Sequence, residues 1–316
     1  MTEKPLVSII TPSYNQAAFI EQTIKSVLDQ DYPNIEYLVA DGGSTDGSVD
    51  IIKRYAKRLA WWVSEKDKGQ ADAINKGFAR AKGEFIAWVN SDDYYQPGAI
   101  SAAVAALQAN PDVGFVFGDV EVVDKDGRIL NHLRYGNWSV ADLMTFHIIG
   151  QPAVFMRRSM LEKAGYLDLS YHFLLDHQLW LRMGLQAGMQ YVPQLWAGAH
   201  YYEGCKNLSQ AAEFGKEAYR IVDWMRGAPE FAEKVAWLLP NIQAGAERIN
   251  AFYLLDAGEY ARSFRAYWRG FLLAPDIILP DWYRMAYACF APLGLEKLRD
   301  RRIQARAARL NAAARD

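Results

Sequence analysis

Asp92 and Asp93 stand side by side after an apolar run, Phe85 to Val89, and an amide, Asn90. Neighbouring carboxylates repel each other and resist burial, so the pair needs either water or a cation. A solvated turn after a strand meets that need one way. A hard divalent ion meets it another way: Mg²⁺ and Mn²⁺ take oxygen ligands and usually keep a substrate phosphate in their shell. Asp41 follows a second apolar run, in Asp41-Gly42-Gly43. It could accept a hydrogen bond from a nucleotide base, with Tyr14 packed near the ring. Plain turn chemistry accounts for Asp-Gly-Gly as well. Asp176 opens a helical stretch, where the helix dipole favours an anion. It is either an N-terminal cap or a general base, the group an inverting sugar transfer needs to take the acceptor's hydroxyl proton. His177 and His200 lie near this second cluster, and His200 is a candidate metal ligand.

The elements that must position these groups alternate. Leu6 to Ile10 reads as a buried strand, followed by a helix with Ile20, Ile24, Val27 and Leu28 on one face. Ile35 to Ala40 is a second strand, with Ser44 as the expected N-cap of the next helix. Ala60 to Val63 is a third strand, Gly69 opens a helix, Phe85 to Val89 is a fourth strand, and Gly98 to Ala109 is a helix before a strand at Val113 to Phe117. Gln151 to Met156 reads as a strand, with a helix from Ser159 and another around Leu174 to Arg182. This pattern predicts an α/β, doubly wound, mostly parallel sheet. Ligands of such sheets bind beyond the carboxyl ends of the strands. The polar residues gather there: Tyr14 and Asn15, Asp41, Lys68 to Gln70, and Asn90 to Asp93.

The totals exclude several classes. The chain has 316 residues, and 51% of them are apolar, which suits one large α/β domain with added helices. A net charge of −2 gives no pull toward nucleic acid. Cys205 and Cys289 match no metal spacing and read as free thiols of a reducing compartment. The first residues show no signal peptide, and no apolar run approaches the ~20 residues of a spanning helix. The glycine-rich phosphate loops of dinucleotide-binding proteins and P-loop kinases are absent, so phosphate charge falls to a metal.

Four segments together resemble the family 2 glycosyltransferases, inverting enzymes of the GT-A fold: Ser8 to Asn15, Asp41 to Gly47, Gly69 to Gly77, and Asn90-Ser91-Asp92-Asp93. Asp176 with Leu179-Trp180-Leu181-Arg182 resembles the family's later acidic motif. The likeness covers roughly residues 5 to 210. It implies transfer from a nucleotide-diphosphate sugar, a UDP-sugar favoured, with Mn²⁺ or Mg²⁺ as cofactor. On the matching positions it implies donor contacts at Pro12, Tyr14, Asn15, Asp41, Gln70, Asn75, Asn90 and Asp92. It further implies metal at Asp93 with Asp92, the base at Asp176, and Gln151 near the acceptor. Two departures stand out: Asn90 occupies a position that is often acidic in the family, and Leu175 occupies that of a usual Glu. The stretch His200 to Lys206 does not align cleanly with the family's Arg- and His-containing segment.

The expected organisation is a catalytic domain over 1–210 and a helical extension over 211–316, broken at Pro229, Pro240, Pro275, Pro280 and Pro292. Leu254, Tyr260, Phe264, Tyr267, Trp268 and Phe271 read as an aromatic helical pair. Trp282, Tyr283, Met285, Tyr287, Phe290 and Leu293 precede a tail with Lys297, Arg299, Arg301, Arg302, Arg306 and Arg309. That order suits packing on the catalytic domain or on a partner subunit of a homo-oligomer, or contact with an anionic membrane surface. The expected partners are a nucleotide-sugar donor and a saccharide or lipid-linked acceptor, in cell-surface polysaccharide or glycolipid synthesis. The expected place is the cytoplasm, peripheral on the inner face of the membrane. The competing functions are a sugar-phosphate nucleotidylyltransferase, which would want a basic glycine-rich loop after the first strand, and a non-catalytic carbohydrate-binding or scaffold protein.

Overall fold

The computed structural model describes residues 4–202 and 210–291, together with 308, 310 and 311. It divides into two compact units. The first comprises 1–123, 132–138 and 149–200; the second comprises 124–131, 139–148 and 201–316.

The first unit is a mixed α/β sheet. Its strands are β1 (Val7–Ser13), β2 (Ile35–Asp41), β3 (Trp61–Ser64), β4 (Phe85–Trp88), β5 (Asp93–Tyr95) and β6 (Val113–Val123). A short β7 (Ile129–Leu133) is followed by β8 (Val154–Arg157) and β9 (Gly188–His200). The hydrogen-bonded path runs β3-β2-β1-β4-β8-β6-β9-β5. Pairing is parallel through β3, β2, β1 and β4; β8 then enters antiparallel to both β4 and β6. The chain leaves β1 to build β2 and β3 on one side, then returns to place β4 on the other. That reversal opens a crevice at the carboxyl ends of β1 and β4, where doubly wound sheets bind ligands.

The helices α1 (Ile20–Leu28), α2 (Ser48–Tyr55), α3 (Gln70–Phe78) and α4 (Ala99–Ala109) connect the strands of the first half. Ile20, Ile24 and Val27 are buried as their spacing predicts, in a core with Val7, Ile9, Val39 and Phe85. After the short α5 (Val140–Met144) and α6 (Arg158–Ala164), α7 (Leu175–Gln186) buries seven residues, the polar His177 and Gln178 among them. Its Trp180 lies between Trp88 of β4 and Phe115 of β6, with ring centroids 5.3 Å from each. Trp180 fastens α7 to the sheet, and the first turn of α7 carries Asp176.

Several local expectations change. Gly47, in a left-handed conformation, caps α2 in place of Ser44, whose hydroxyl is taken by Asp41. The strand expected over Gln151 to Met156 starts at Val154, because Pro152 sets a 3₁₀ turn over Gln151–Ala153. Strand β6 runs on to Val123, and Asp93 itself lies in a strand, β5, that composition did not signal.

The second unit is helical, with α8 (Ala211–Gly227), α9 (Ala232–Asp256), α10 (Tyr260–Leu273), α11 (Pro275–Ile278) and α12 (Trp282–Phe290). Pro240 does not break the chain; it lies inside α9, where flanking contacts outweigh one lost backbone bond. Phe214 of α8 stacks on Tyr253 of α9 at 3.8 Å, and Ala251, Ala266, Tyr267 and Ile278 close a small core. The expected pair of aromatic helices is α9 with α10. Cys205, Lys206, Leu293, Pro292 and the basic tail residues Lys297 to Arg306 and Arg309 lie outside the described residues.

Candidate active site

The crevice beyond β1 and β4 gathers an amide network around Asp93. Asn90 Nδ2 donates to Asp93 Oδ2 at 3.1 Å and to Gln151 Oε1 at 3.2 Å. Asn90 Oδ1 accepts from Gln70 Nε2 at 2.8 Å. Gln151 Nε2 donates to the Trp88 carbonyl at 2.7 Å, which fixes which end of its amide faces Asn90. Asn90 and Asp93 are three residues apart and Gln70 and Gln151 lie 20 and 61 residues from Asn90, yet all four form one connected group.

Asp93 is only 7% exposed. Burial, and then the neighbouring Asp92 carboxylate, push its carboxyl well above the usual carboxylate range; the Asn90 amide and the His200 backbone pull the other way. A buried acid held up in this manner is the electrostatic state that a bound cation relieves. The donor set fits a hard divalent ion, since Asp92 and Asp93 supply oxygens only. Among the described residues no group of three His, Cys, Asp or Glu side chains converges to hold a metal, so an ion here would draw its remaining ligands from substrate phosphate and water.

His200 holds the Asp92–Asp93 turn. Its Nδ1 lies 2.5 Å from the Asp92 carbonyl, and its ring packs on Phe19 at 4.7 Å and Tyr94 at 5.6 Å. A carbonyl only accepts, so Nδ1 is the donor in this contact. Tyr94 is carried across β9 at Gly198, where any Cβ would meet its ring at 2.1 Å. Its hydroxyl donates to Glu121 at 2.9 Å, a buried acid that sequence reading did not single out.

The residues expected at the nucleotide base lie at the ends of β1 and β2. Tyr14 is 63% exposed, free to meet a planar ring. Asp41 is buried and already well used: its carboxylate accepts from the Gly43 and Ser44 amides, from Ser44 Oγ at 2.5 Å and from Ser64 Oγ at 2.6 Å. Four donors come close to its full acceptor capacity. Asp41 thus shapes the β2 turn; three of these donors fall on Oδ2, and Oδ1 takes only Ser44 Oγ. Asn15, left-handed at φ 52°, ties that turn to the end of β1: it donates its N–H to Ser44 Oγ and accepts from Thr45 N at 2.9 Å. Pro12 is buried within β1. Ser13, opposite Asp41 in the register, has a buried hydroxyl with no partner. Sequence reasoning passed over it, although the strand-end rule that found Tyr14 applies to it as well.

Asn75 does not face the crevice group. Its amide donates to the Leu167 carbonyl at 2.8 Å and accepts from the Leu167 N–H at 3.0 Å. Arg182 donates to the carbonyls of Ala164, Gly165 and Tyr166, so the segment entering α7 is held from both sides. Asp176 follows, in the first turn of α7. The Tyr135 phenol is pushed upward by burial first, with the Gly150 backbone opposing and the charges of Asp119, Tyr191 and Asp176 adding. Tyr191 donates to Asp119 at 2.7 Å. The charge of Asp176 is thus felt at Tyr135, whose ring lies edge-on to Tyr191 at 6.4 Å. Asp119 lies in β6, Tyr191 in β9 and Tyr135 in the segment after β7, so no local signal joins them.

Comparisons with known proteins identify the family and the fold. The model of glycosyl transferase family 2 matches residues 8–165. The chain belongs to glycosyl transferase family 2. It is 34% identical over 171 residues to a Bacillus subtilis (strain 168) protein named as a teichuronic acid biosynthesis glycosyltransferase, TuaG, covering 52% of this chain and 66% of that one. It is 33% identical over 189 residues to an uncharacterized glycosyltransferase of Mycobacterium tuberculosis (strain CDC 1551), covering 58% of this chain and 71% of that one. With an uncharacterized glycosyltransferase of Rickettsia bellii it shares a segment that is only 21% of that protein's length. In fold it is similar to Staphylococcus aureus TarS 1-349, solved in complex with UDP-GlcNAc, with a TM-score of 0.59, 16% identity, and 89% and 92% of the two chains covered. It is also similar to the mannosyltransferase PcManGT of Pyrobaculum calidifontis, solved with GDP-Man and Mn²⁺, with a TM-score of 0.57, 23% identity, and 92% and 87% covered. The fold is that of the GT-A glycosyltransferases.

Proposed function

We propose that this family 2 glycosyltransferase moves a sugar, with inversion, from a nucleotide-diphosphate donor to a hydroxyl acceptor, a UDP-sugar being favoured. The observation that carries this reading is the Gln70–Asn90–Gln151 network ending on a buried Asp93 at the switch between β1 and β4. In the proposed reaction the acceptor's O–H proton passes to the Asp176 carboxylate while its oxygen bonds to the anomeric carbon. The bond from that carbon to the diphosphate breaks, and the leaving nucleotide takes the electron pair. A divalent cation, Mn²⁺ or Mg²⁺, held by Asp93 with Asp92, would neutralise the charge that develops on the diphosphate. Tyr14 and the partnerless Ser13 hydroxyl line the base-side end, and Gln151 lies between the metal side and the acceptor side.

A PcManGT complex that contains Mn²⁺ and a TarS complex that contains UDP-GlcNAc support the donor class. The name of the TuaG relative supports an acceptor in cell-surface polysaccharide synthesis. No helix among the described residues is long and apolar enough to cross a membrane. Family membership sets the nucleotidylyltransferase aside, and a non-catalytic role is separated from transfer by two variants. Asp93→Ala should abolish the thermal stabilisation that a UDP-sugar confers in the presence of Mn²⁺. Asp176→Asn should keep that stabilisation and lower transfer by about 10²–10⁴-fold, the usual worth of a general base. Normal transfer by Asp176→Asn removes Asp176 from its role.

A further inference from the structure

Two helices of the second unit turn apolar side chains outward, where surface helices carry polar ones. On α12, Trp282, Tyr283 and Phe290 are 61%, 52% and 50% exposed. Positions 282 and 289, and 283 and 290, are two turns apart, so Trp282, Tyr283, Cys289 and Phe290 share one uncharged stripe. Arg284 is not part of it; its guanidinium lies over the Phe252 ring at 4.3 Å and pairs with Asp281 at 3.3 Å. On α10, Trp268 and Leu272, one turn apart, are 48% and 67% exposed. The inner faces of these helices are already filled, by Ala266, Tyr267, Ile278 and Ala288. The exposed rings are therefore not an unfinished core.

Charge is as uneven as exposure. The chain as a whole has a net charge of −2, but residues 258–316 hold eleven Arg and Lys against six Asp and Glu, seven of the eleven in 292–316, outside the described residues. In sequence that basic segment follows α12 directly, so a second copy would add like charge and an anionic surface would supply the opposite charge. An anionic lipid surface meets both halves of the pattern. Indole and phenol rings settle at headgroup depth, and cationic side chains attract the anionic headgroups. We propose that the outward face of α10 and α12 rests on an anionic membrane surface, with Trp268, Leu272, Trp282, Tyr283 and Phe290 entering the headgroup layer. With 14 and 9 residues, these helices lie on the surface rather than span it. The inference does not depend on donor or acceptor chemistry, and its readout needs no sugar transfer.

The test is co-sedimentation of the full chain with vesicles of phosphatidylglycerol and phosphatidylcholine, against phosphatidylcholine alone, at low and high salt. The chain should bind the anionic vesicles, bind neutral ones at least about tenfold more weakly, and lose affinity as salt rises. Trp282→Ser with Phe290→Ser should weaken binding by about tenfold or more while circular dichroism and melting stay as in the wild type. If that variant fails to fold, Trp268→Ser with Leu272→Ser on α10 carries the same expectation. No binding to anionic vesicles overturns the proposal, and so does equal binding by a folded variant. A wild-type dimer in sedimentation equilibrium that the variant converts to monomer also overturns it, because the face then belongs to a second copy.

Discussion

Asn90→Asp restores the carboxylate common at this position in the family, and the structure sets what that change does. Asn90 Nδ2 now donates to Asp93 Oδ2 at 3.1 Å and to Gln151 Oε1 at 3.2 Å. A carboxylate oxygen in its place accepts only, and it faces two acceptors. Gln151 cannot simply turn its amide round, because its Nε2 is spent on the Trp88 carbonyl. Losing the donor to Gln151 costs about 1 kcal/mol at any pH. The carboxylate pair adds a pH-dependent part. At an effective dielectric of about 20, two unit charges about 4 Å apart repel by about 4 kcal/mol, which is the ceiling. Below neutrality the pair shares a proton, and the protonated oxygen replaces the lost donor.

The sign follows from Asp93, whose pKa burial and Asp92 already raise. A raised carboxyl contributes stability that is present below the ordinary carboxylate value and lost as pH rises through the raised one. A second acid lengthens that window upward. In chelator, Asn90→Asp should melt within a few degrees of the wild type at about pH 5 and on the order of 10 °C lower at about pH 8. Millimolar Mn²⁺ should restore most of the difference at the higher pH by binding the folded form. The assay is a thermal melt across pH with and without the ion. Identical melting of the two proteins at high pH in chelator would refute both the buried state of Asp93 and its contact with Asn90.

Two further expectations concern the frame. Asn75→Ala removes both amide bonds to Leu167 and leaves buried backbone groups unpaired, so urea unfolding should show a loss of about 2 kcal/mol, and an unchanged midpoint would contradict the pinning role. His147 is held below its ordinary value of 6.5 by burial first and then by Arg248. Its contribution to stability is present above about pH 6.5 and lost as pH falls through the depressed value, so His147→Gln should flatten the acid side of the stability curve, and an unaltered slope there would count against it.

Much of the first half was legible in the sequence because its signals are local. Ile20, Ile24 and Val27 at helical spacing predicted the buried face of α1, and apolar runs ending in polar residues located β1, β2 and β4. Gly69 and Gly98 marked the starts of α3 and α4 through their positive φ. Where local chemistry offered two outcomes, tertiary contact chose. Ser44 was a reasonable N-cap, yet Asp41 captured its hydroxyl. Pro240 was a reasonable break, yet α9 continues through it. Asn75 sits in a motif of the family, and only a partner 92 residues away showed that its amide is spent on Leu167.

The sequence by itself determined the residue types, the alternation of strand and helix, and the motif order that places this chain in its family. Those rest on side-chain periodicity and turn chemistry, which act over a few residues. Tertiary structure alone decided which strand ends become neighbours. Once β1 lies between β2 and β4, Asn90 can reach Asp93, Gln70 and Gln151 together. It also decided that Asp93 is buried, which raises its carboxyl above the usual carboxylate range. Hydrogen-bond partners and desolvation are properties of the folded surroundings, and a linear chain does not carry them.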